Sequence, residues 1–416
     1  MDFEQYNQRH RLDANKYLEE FRQARRRDRD NRLRPLLQPD MWLLMALFLL
    51  LGLGLVMVNS STLYLSLKIN REATFFIGKQ LFFAGCGLGL GLLLYLSVSE
   101  ALLVKSTKIL FALSLAMLIG TYLPGIGVWG KGAHRWLNLH IMQFQVSEFV
   151  KFALIVFTAN FLVRQRRFFD HAPLQAVGSL YVICLPALLL LFLQPDLGST
   201  ILILGMMFFL LFLANVDWKL MANIALSGLA FVLLAILMKS YRKGRLFSFS
   251  DPFADAQGDG HQLVNSLIAI GGNGLDGRGL GESIQKYSFL SEGHNDFIFA
   301  LIGEELGFWG MLAVLLLYCL VLWRCFVIAR LALQVRRPFS AYYAYGLGTM
   351  MMMQVLIHTG SAIGAIPTKG LTLPLISYGG SSLLMTIIMF AVLLRLGSEA
   401  SWQAEKEKKA RERRYG

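Results

Sequence analysis

Long apolar runs separated by short polar breaks dominate the chain. Ten such runs lie at about residues 42–60, 74–97, 107–124, 147–164, 174–193, 198–215, 219–239, 304–327, 341–363 and 377–397. A helix rises 1.5 Å per residue, so runs of roughly 20 residues match the ~30 Å hydrocarbon core of a bilayer. Barrel strands would be shorter and would alternate between apolar and polar positions. The pattern therefore predicts an all-α integral membrane protein with ten transmembrane helices.

The polar stretches divide the rest. Residues 1–41 form a polar, basic tail, residues 42–397 a membrane domain, and residues 398–416 a second basic tail. The longest interruption, residues 240–295, carries Gly258, Gly260, Gly271, Gly272, Gly274, Gly277, Gly279 and Gly281. It lacks the Gly-Lys-Ser/Thr ending of a phosphate-binding loop, and no strand precedes it. No repeat of fixed period stands out.

Composition agrees with a membrane protein: 55% of the 416 residues are hydrophobic and 16% are charged. The net charge of +13 would suit nucleic acid, but the basic residues gather in Arg25 to Arg27, Arg164 to Arg167, Arg324 to Arg337 and Lys406 to Arg414. That distribution is positive-inside topology, and no aromatic-basic module accompanies it, which argues against nucleic acid. An even number of spans then places both termini in the cytoplasm. A polar opening of about 40 residues is not a cleavable signal peptide. External loops are expected at residues 62–72, 125–145, 194–197, 240–295 and 366–376. Cys86, Cys184, Cys319 and Cys325 all lie in apolar runs, so neither a disulfide framework nor a CxxC metal site is expected.

Several polar residues stand where a membrane makes them costly. Asp296 follows His294 and Asn295 at the point where the long loop meets apolar residues. An ionised carboxylate there must be solvated or paired; the residues allow a helix N-cap before Phe297 or a reactive group. In Pro367-Thr368-Lys369-Gly370-Leu371-Thr372-Leu373-Pro374-Leu375-Ile376-Ser377-Tyr378-Gly379-Gly380-Ser381-Ser382, two prolines and a lysine interrupt the apolar pattern before a helix start. The exposed backbone donors of such a start suit an anionic group. Glu148 and Lys151, three apart, share a helix face and either line a polar cavity or neutralise each other. Asp196, after Pro195, can cap the sixth span. Of Glu304 and Glu305, at least one must face protein or water.

Four motifs, Gly132-Ala133-His134-Arg135-Trp136-Leu137, Gln194-Pro195-Asp196-Leu197-Gly198-Ser199, His294-Asn295-Asp296-Phe297-Ile298-Phe299-Ala300 with Gly303-Glu304-Glu305-Leu306-Gly307, and the Pro367 to Ser382 stretch, occur in one order. On these the chain resembles the SEDS family of shape, elongation, division and sporulation proteins, its FtsW-like division branch more than its RodA-like elongation branch. The match spans everything but the tails. It implies the SEDS-type fold and a peptidoglycan glycosyltransferase that polymerises lipid II into β-1,4 glycan strands at the outer face of the cytoplasmic (inner) membrane during septal wall synthesis. A class B penicillin-binding transpeptidase and other division proteins are the implied partners. Under this resemblance Asp296 matches the family's essential external aspartate and takes the role of general base.

The remaining candidates are substrate contacts. Lys369 faces a pyrophosphate or snorkels to the interface. Trp136, beside Arg135, stacks on a sugar or anchors at the headgroups. Arg242, Lys243 and Arg245 suit a pyrophosphate or an acidic stem peptide, or form a solvated loop face. With Glu148, Lys151, His294, Ser377 and Gly379 these complete the expected substrate site. No metal-ligand set is visible, while a divalent cation (Mg or Mn) is compatible with the chemistry. A lipid II flippase, with polar residues lining a path, and a scaffold that only activates the transpeptidase are the competing readings. The chain departs from the family pattern at Ser291, Asn295, His358 and Thr359; His358 would make the ninth span sensitive to pH.

Overall fold

The computed structural model describes residues 39–130, 133–138, 142–238, 244, 249, 251–258, 260–287, 289–290 and 293–415. The amino-terminal tail through residue 38, together with Arg242, Lys243, Arg245 and Ser291, lies outside the described residues.

In chain order the helices are α1 (Met41–Lys68), α2 (Phe75–Ser97), α3 (Glu100–Gly120), α4 (Val146–Arg164), α5 (Arg166–His171), α6 (Pro173–Leu193), α7 (Leu197–Leu213), α8 (Trp218–Leu237), α9 (His261–Gly271), α10 (Ile298–Gln334), α11 (Pro338–Ala362) and α12 (Gly380–Tyr415). Every apolar run predicted above falls on one of them. Among the described residues, eight helices are long and apolar enough to cross a membrane. Of the other two that carry a predicted apolar run, α7 has only 17 residues, and α11 is diluted by tyrosine, glycine and polar positions.

Local chemistry sets the helix starts. The Asp40 carboxylate accepts from Leu43 N–H (3.0 Å) and caps α1. Pro173 and Pro338 open α6 and α11, where a missing N–H is harmless. The bundle is organised around α4 and α12, whose apolar windows are 83% and 89% buried, while α8 at 11% sits at its edge. Glycines let α2 and α12 approach closely: a Cβ at Gly87 would stand 2.9 Å from Ile387, and one at Gly380 would collide with the Phe83 ring.

One end of the bundle is closed by ion pairs. Arg324 Nε lies 3.1 Å and 3.0 Å from the two Asp40 oxygens, tying α10 to the start of α1. Arg337 bridges Glu399 (2.6 Å) and Glu100 (3.5 Å), joining α12, α11 and α3.

The opposite end is more structured than its polar composition predicts. Residues 125–145 contain a three-stranded antiparallel sheet, β1 (Gly127–Gly130), β2 (Ala133–Asn138) and β3 (Gln143–Gln145), in the order β1-β2-β3. Val128 and Gln145 flank Trp136 in register. The long loop holds α9, which buries Leu263, Val264 and Ala269 and leaves Ile268 exposed.

The eighth run also differs, since its helix begins at Ile298 rather than near residue 304 and is broken at Gly307 (φ 65°, ψ −162°). The loop fills the break: Arg278 N–H donates to Glu304 O (2.9 Å) and Gly279 N–H to Glu305 O (3.0 Å). A Cβ at Gly277 would come within 2.5 Å of Glu305 O. Glu304 and Glu305, where the eighth apolar run begins, lie at the joint between two helical pieces.

Candidate functional site

Asp296 occupies the turn that delivers the chain into α10. The N-cap position of α10 is Phe297, one residue past Asp296, and the Phe297 side chain makes no cap. Its carboxylate is half-buried and points at the loop before α12: a Cβ at Gly370 would stand 2.9 Å from Oδ2 and 3.7 Å from Oδ1. Lys369, also half-buried, is the next residue along that loop.

A ladder of hydrogen bonds fixes the two segments against each other. Tyr378 N–H donates to His294 O (3.0 Å), and the Ser377 hydroxyl donates to Asn295 O (2.7 Å) while accepting from Leu373 N–H (2.8 Å). Behind them Gln80 of α2 donates from Nε2 to Ser377 O (3.2 Å) and accepts at Oε1 from Gly379 N–H (3.3 Å). The Phe76 ring packs 5.9 Å from His294 and 5.3 Å from Tyr378.

Residues 373–376 form a type II turn, with Ile376 N–H donating to Leu373 O (3.1 Å). Its third position, Leu375, has φ 67°, a left-handed value that ordinarily calls for glycine. The Tyr318 hydroxyl donates to Pro374 O (2.6 Å), holding the flipped peptide of that turn. On the other side a Cβ at Gly54 would collide with Leu375 O.

From α11, Gln354 Nε2 donates to Thr372 O (2.8 Å) and His358 Nδ1 to Leu371 O (2.7 Å), the carbonyl fixing the tautomer. One helical turn separates these side chains, which hold consecutive carbonyls. Lys151 Nζ lies 2.8 Å from Glu148 Oε2 and donates to Gln354 Oε1 (3.3 Å). The pair is buried, self-neutralising and linked to the loop through Gln354. At the first turn of α12, Ser381 Oγ accepts from Gln145 N–H (3.0 Å), which attaches β3.

Asp296, His294, Lys369, Ser377 and Gly379 are thus brought together, and Glu148 with Lys151 lies one amide away. Arg135 stands apart on β2, donating from Nε to Gln194 O (3.0 Å) and from Nη2 to Pro195 O (2.8 Å). Asp196 caps α7 through Ser199 N–H (3.1 Å). Trp136 is half-buried on β2. Arg245, outside the described residues, receives no placement. Glu304 accepts from Ile284 N–H (2.8 Å) and from Ser283 Oγ, while Glu305 accepts from Ser60 Oγ (2.6 Å) and pairs with Lys286 (3.4 Å).

Sequence reasoning missed Gln80, Gln354, Tyr318 and Lys286. The signal for the two glutamines was available, since an amide inside an apolar run is costly unless both its ends find partners. Among the described residues, no three His, Cys, Asp or Glu side chains gather into a metal group. What the arrangement offers is a carboxylate on a rigid backbone at the mouth of the bundle, beside a lysine-bearing loop.

Comparison with known proteins gives consistent results. The FtsW/RodA/SpoVE family of cell cycle proteins matches residues 41–401. A protein of Dichelobacter nodosus named as a probable peptidoglycan glycosyltransferase FtsW is 40% identical over 95% of this chain and 99% of its own length. One of the same name from Halothiobacillus neapolitanus is 41% identical over 88% of each chain. Among solved structures, a chain of a peptidoglycan synthase complex in which polymerization and crosslinking are coordinated is similar with a TM-score of 0.69 and 30% identity, covering 87% of this chain and 98% of that one. The rod shape determining protein RodA of Thermus thermophilus follows with a TM-score of 0.64 and 28% identity, covering 87% and 97%.

Proposed function

The chain belongs to the FtsW/RodA/SpoVE family of cell cycle proteins and is a multi-pass peptidoglycan glycosyltransferase, and from that premise we propose that it polymerises lipid II with Asp296 as general base. The acceptor sugar hydroxyl attacks the anomeric carbon of the donor as undecaprenyl pyrophosphate leaves, inverting an α-linked donor to a β-1,4 product. A carboxylate that takes the hydroxyl proton is the minimal protein contribution, by analogy with inverting glycosidases. The leaving group needs stabilisation of its charge, a task that falls to Lys369.

The observation carrying this reading is the fixation of Asp296. The carbonyls of His294 and Asn295 are bonded to Tyr378 and Ser377 (3.0 Å and 2.7 Å), and Gly370 abuts the carboxylate. Preorganisation of this kind is what a catalytic group requires. The positive-inside charge pattern supports an outer-face site, the similarity to the synthase-complex chain supports a class B penicillin-binding transpeptidase as partner, and the FtsW names of the curated relatives support septal wall synthesis as the setting. The Arg135 contacts to Gln194 and Pro195 support a role in shaping the rim, and Trp136 on the neighbouring sheet position supports sugar contact there.

Purified protein with its transpeptidase partner, given labelled lipid II, tests the proposal. Glycan polymer is expected from the wild type and none from Asp296→Asn. Polymer from both overturns the assignment. Transfer of lipid II across vesicles with no polymer from either favours the flippase.

A further inference from the structure

Gln80 has no place in the chemistry just described, yet it is 1% exposed and fully engaged at both ends of its amide. The acceptor Ser377 O and the donor Gly379 N–H fix which way the carboxamide points, because neither group can exchange its role. The fork spans one residue, Tyr378. That residue's own N–H donates to His294 O (3.0 Å), and the preceding Ser377 hydroxyl donates to Asn295 O (2.7 Å). The two carbonyls immediately before Asp296 are therefore tied to two residues whose flanking peptide groups are held by a single amide.

Building on the reading of Asp296 as general base, we infer that Gln80 is a positioning residue for Asp296, acting through the turn at residues 377–379. Four features carry this. Gln80 lies in the second turn of α2, on the same face as Phe76, whose ring packs on His294 and Tyr378 (5.9 Å and 5.3 Å). The helix that bears both is locked to α12 through Gly87 and Gly380, so the fork is mounted on a rigid frame. Among the described residues, no other side chain bonds Ser377 O or Gly379 N–H. Finally, an amide that served only to fill space would be replaceable by an apolar side chain of equal length, whereas this one supplies two directional bonds to an otherwise buried turn.

The test uses the full-length protein with its transpeptidase partner in steady-state lipid II polymerisation, together with thermal melts. Gln80→Met keeps the length and removes both bonds; Gln80→Glu keeps the acceptor for Gly379 N–H and removes the donor to Ser377 O. For Gln80→Met, kcat is expected to fall about tenfold or more with KM changed less than about threefold and Tm within a few degrees, as for a misplaced catalytic group. Gln80→Glu should fall between Gln80→Met and the wild type. A Gln80→Met enzyme with wild-type kcat, or one whose loss is accounted for by a higher KM or by less folded protein, overturns the inference. Asp296→Asn assayed alongside separates the two claims: activity in that variant defeats the base assignment itself, while an inactive Asp296→Asn beside a fully active Gln80→Met defeats only the role of Gln80.

Discussion

The carboxylate of Asp296 rests against the α-carbon of Gly370, so close that a methyl group there would stand 2.9 Å from Oδ2. Gly370→Ala should push the carboxylate aside. Because Gly370 is exposed and its φ is not left-handed, stability should change by no more than about 0.5 kcal/mol. Polymerisation of lipid II should fall roughly tenfold to a hundredfold. A variant with normal turnover would show that the contact does not constrain the reacting group.

Removal of the Tyr318 hydroxyl leaves Pro374 O, inside a buried turn, without its donor. Tyr318→Phe should lower stability by about 1–3 kcal/mol, read as a drop in Tm of the detergent-solubilised protein. Unchanged Tm would mean that water or another donor reaches the flipped peptide.

Lys151→Met strands the Glu148 carboxylate in the bundle, where loss of one partner of a buried pair costs about 3–5 kcal/mol. The double variant Glu148→Gln with Lys151→Met removes the stranded charge and should recover much of the loss. A double variant as unstable as the single one would argue against pairing as the reason for these residues. Thermal melts of the four proteins in one detergent supply the cycle.

Gly307→Ala places a methyl group at φ 65° and against Leu275 O and Gly277 N. Strain of this kind costs on the order of 1–3 kcal/mol, and it falls where the outer loop docks. Hydrogen exchange at the Arg278 and Gly279 amides should accelerate while exchange in α4 and α12 stays unchanged. Uniform acceleration would instead report global destabilisation.

Hydropathy located the long apolar helices among the described residues, because burial in lipid selects side chains over spans of about 20 residues and leaves a long-wavelength mark. Asp296, Lys369, Ser377 and Gly379 were legible from their motifs. The joint at Gly307 was not, since a glycine between Leu306 and Phe308, inside one long apolar run, carries no sign of a break. The sheet at residues 127–145 escaped because its strands of three to six residues show no burial alternation strong enough to distinguish them from a loop. Gln80 and Gln354 escaped for a different reason: their partners are backbone groups about 300 and 18 residues away, and backbone groups carry no sequence signature.

The two long helices beside the site differ in construction. α12 runs without interruption for 36 residues, ~54 Å, from Gly380 to a far stretch clamped by Arg337 and Arg395 at Glu399. It is a lever long enough to reach from Ser381 and Ser382 at the site through the bilayer and beyond. α10 has an elbow at Gly307, nine residues past the start of its first piece. Displacement of the far end of α12 reaches the site as rigid motion, whereas the same displacement of α10 can be taken up as bending before it arrives at Asp296.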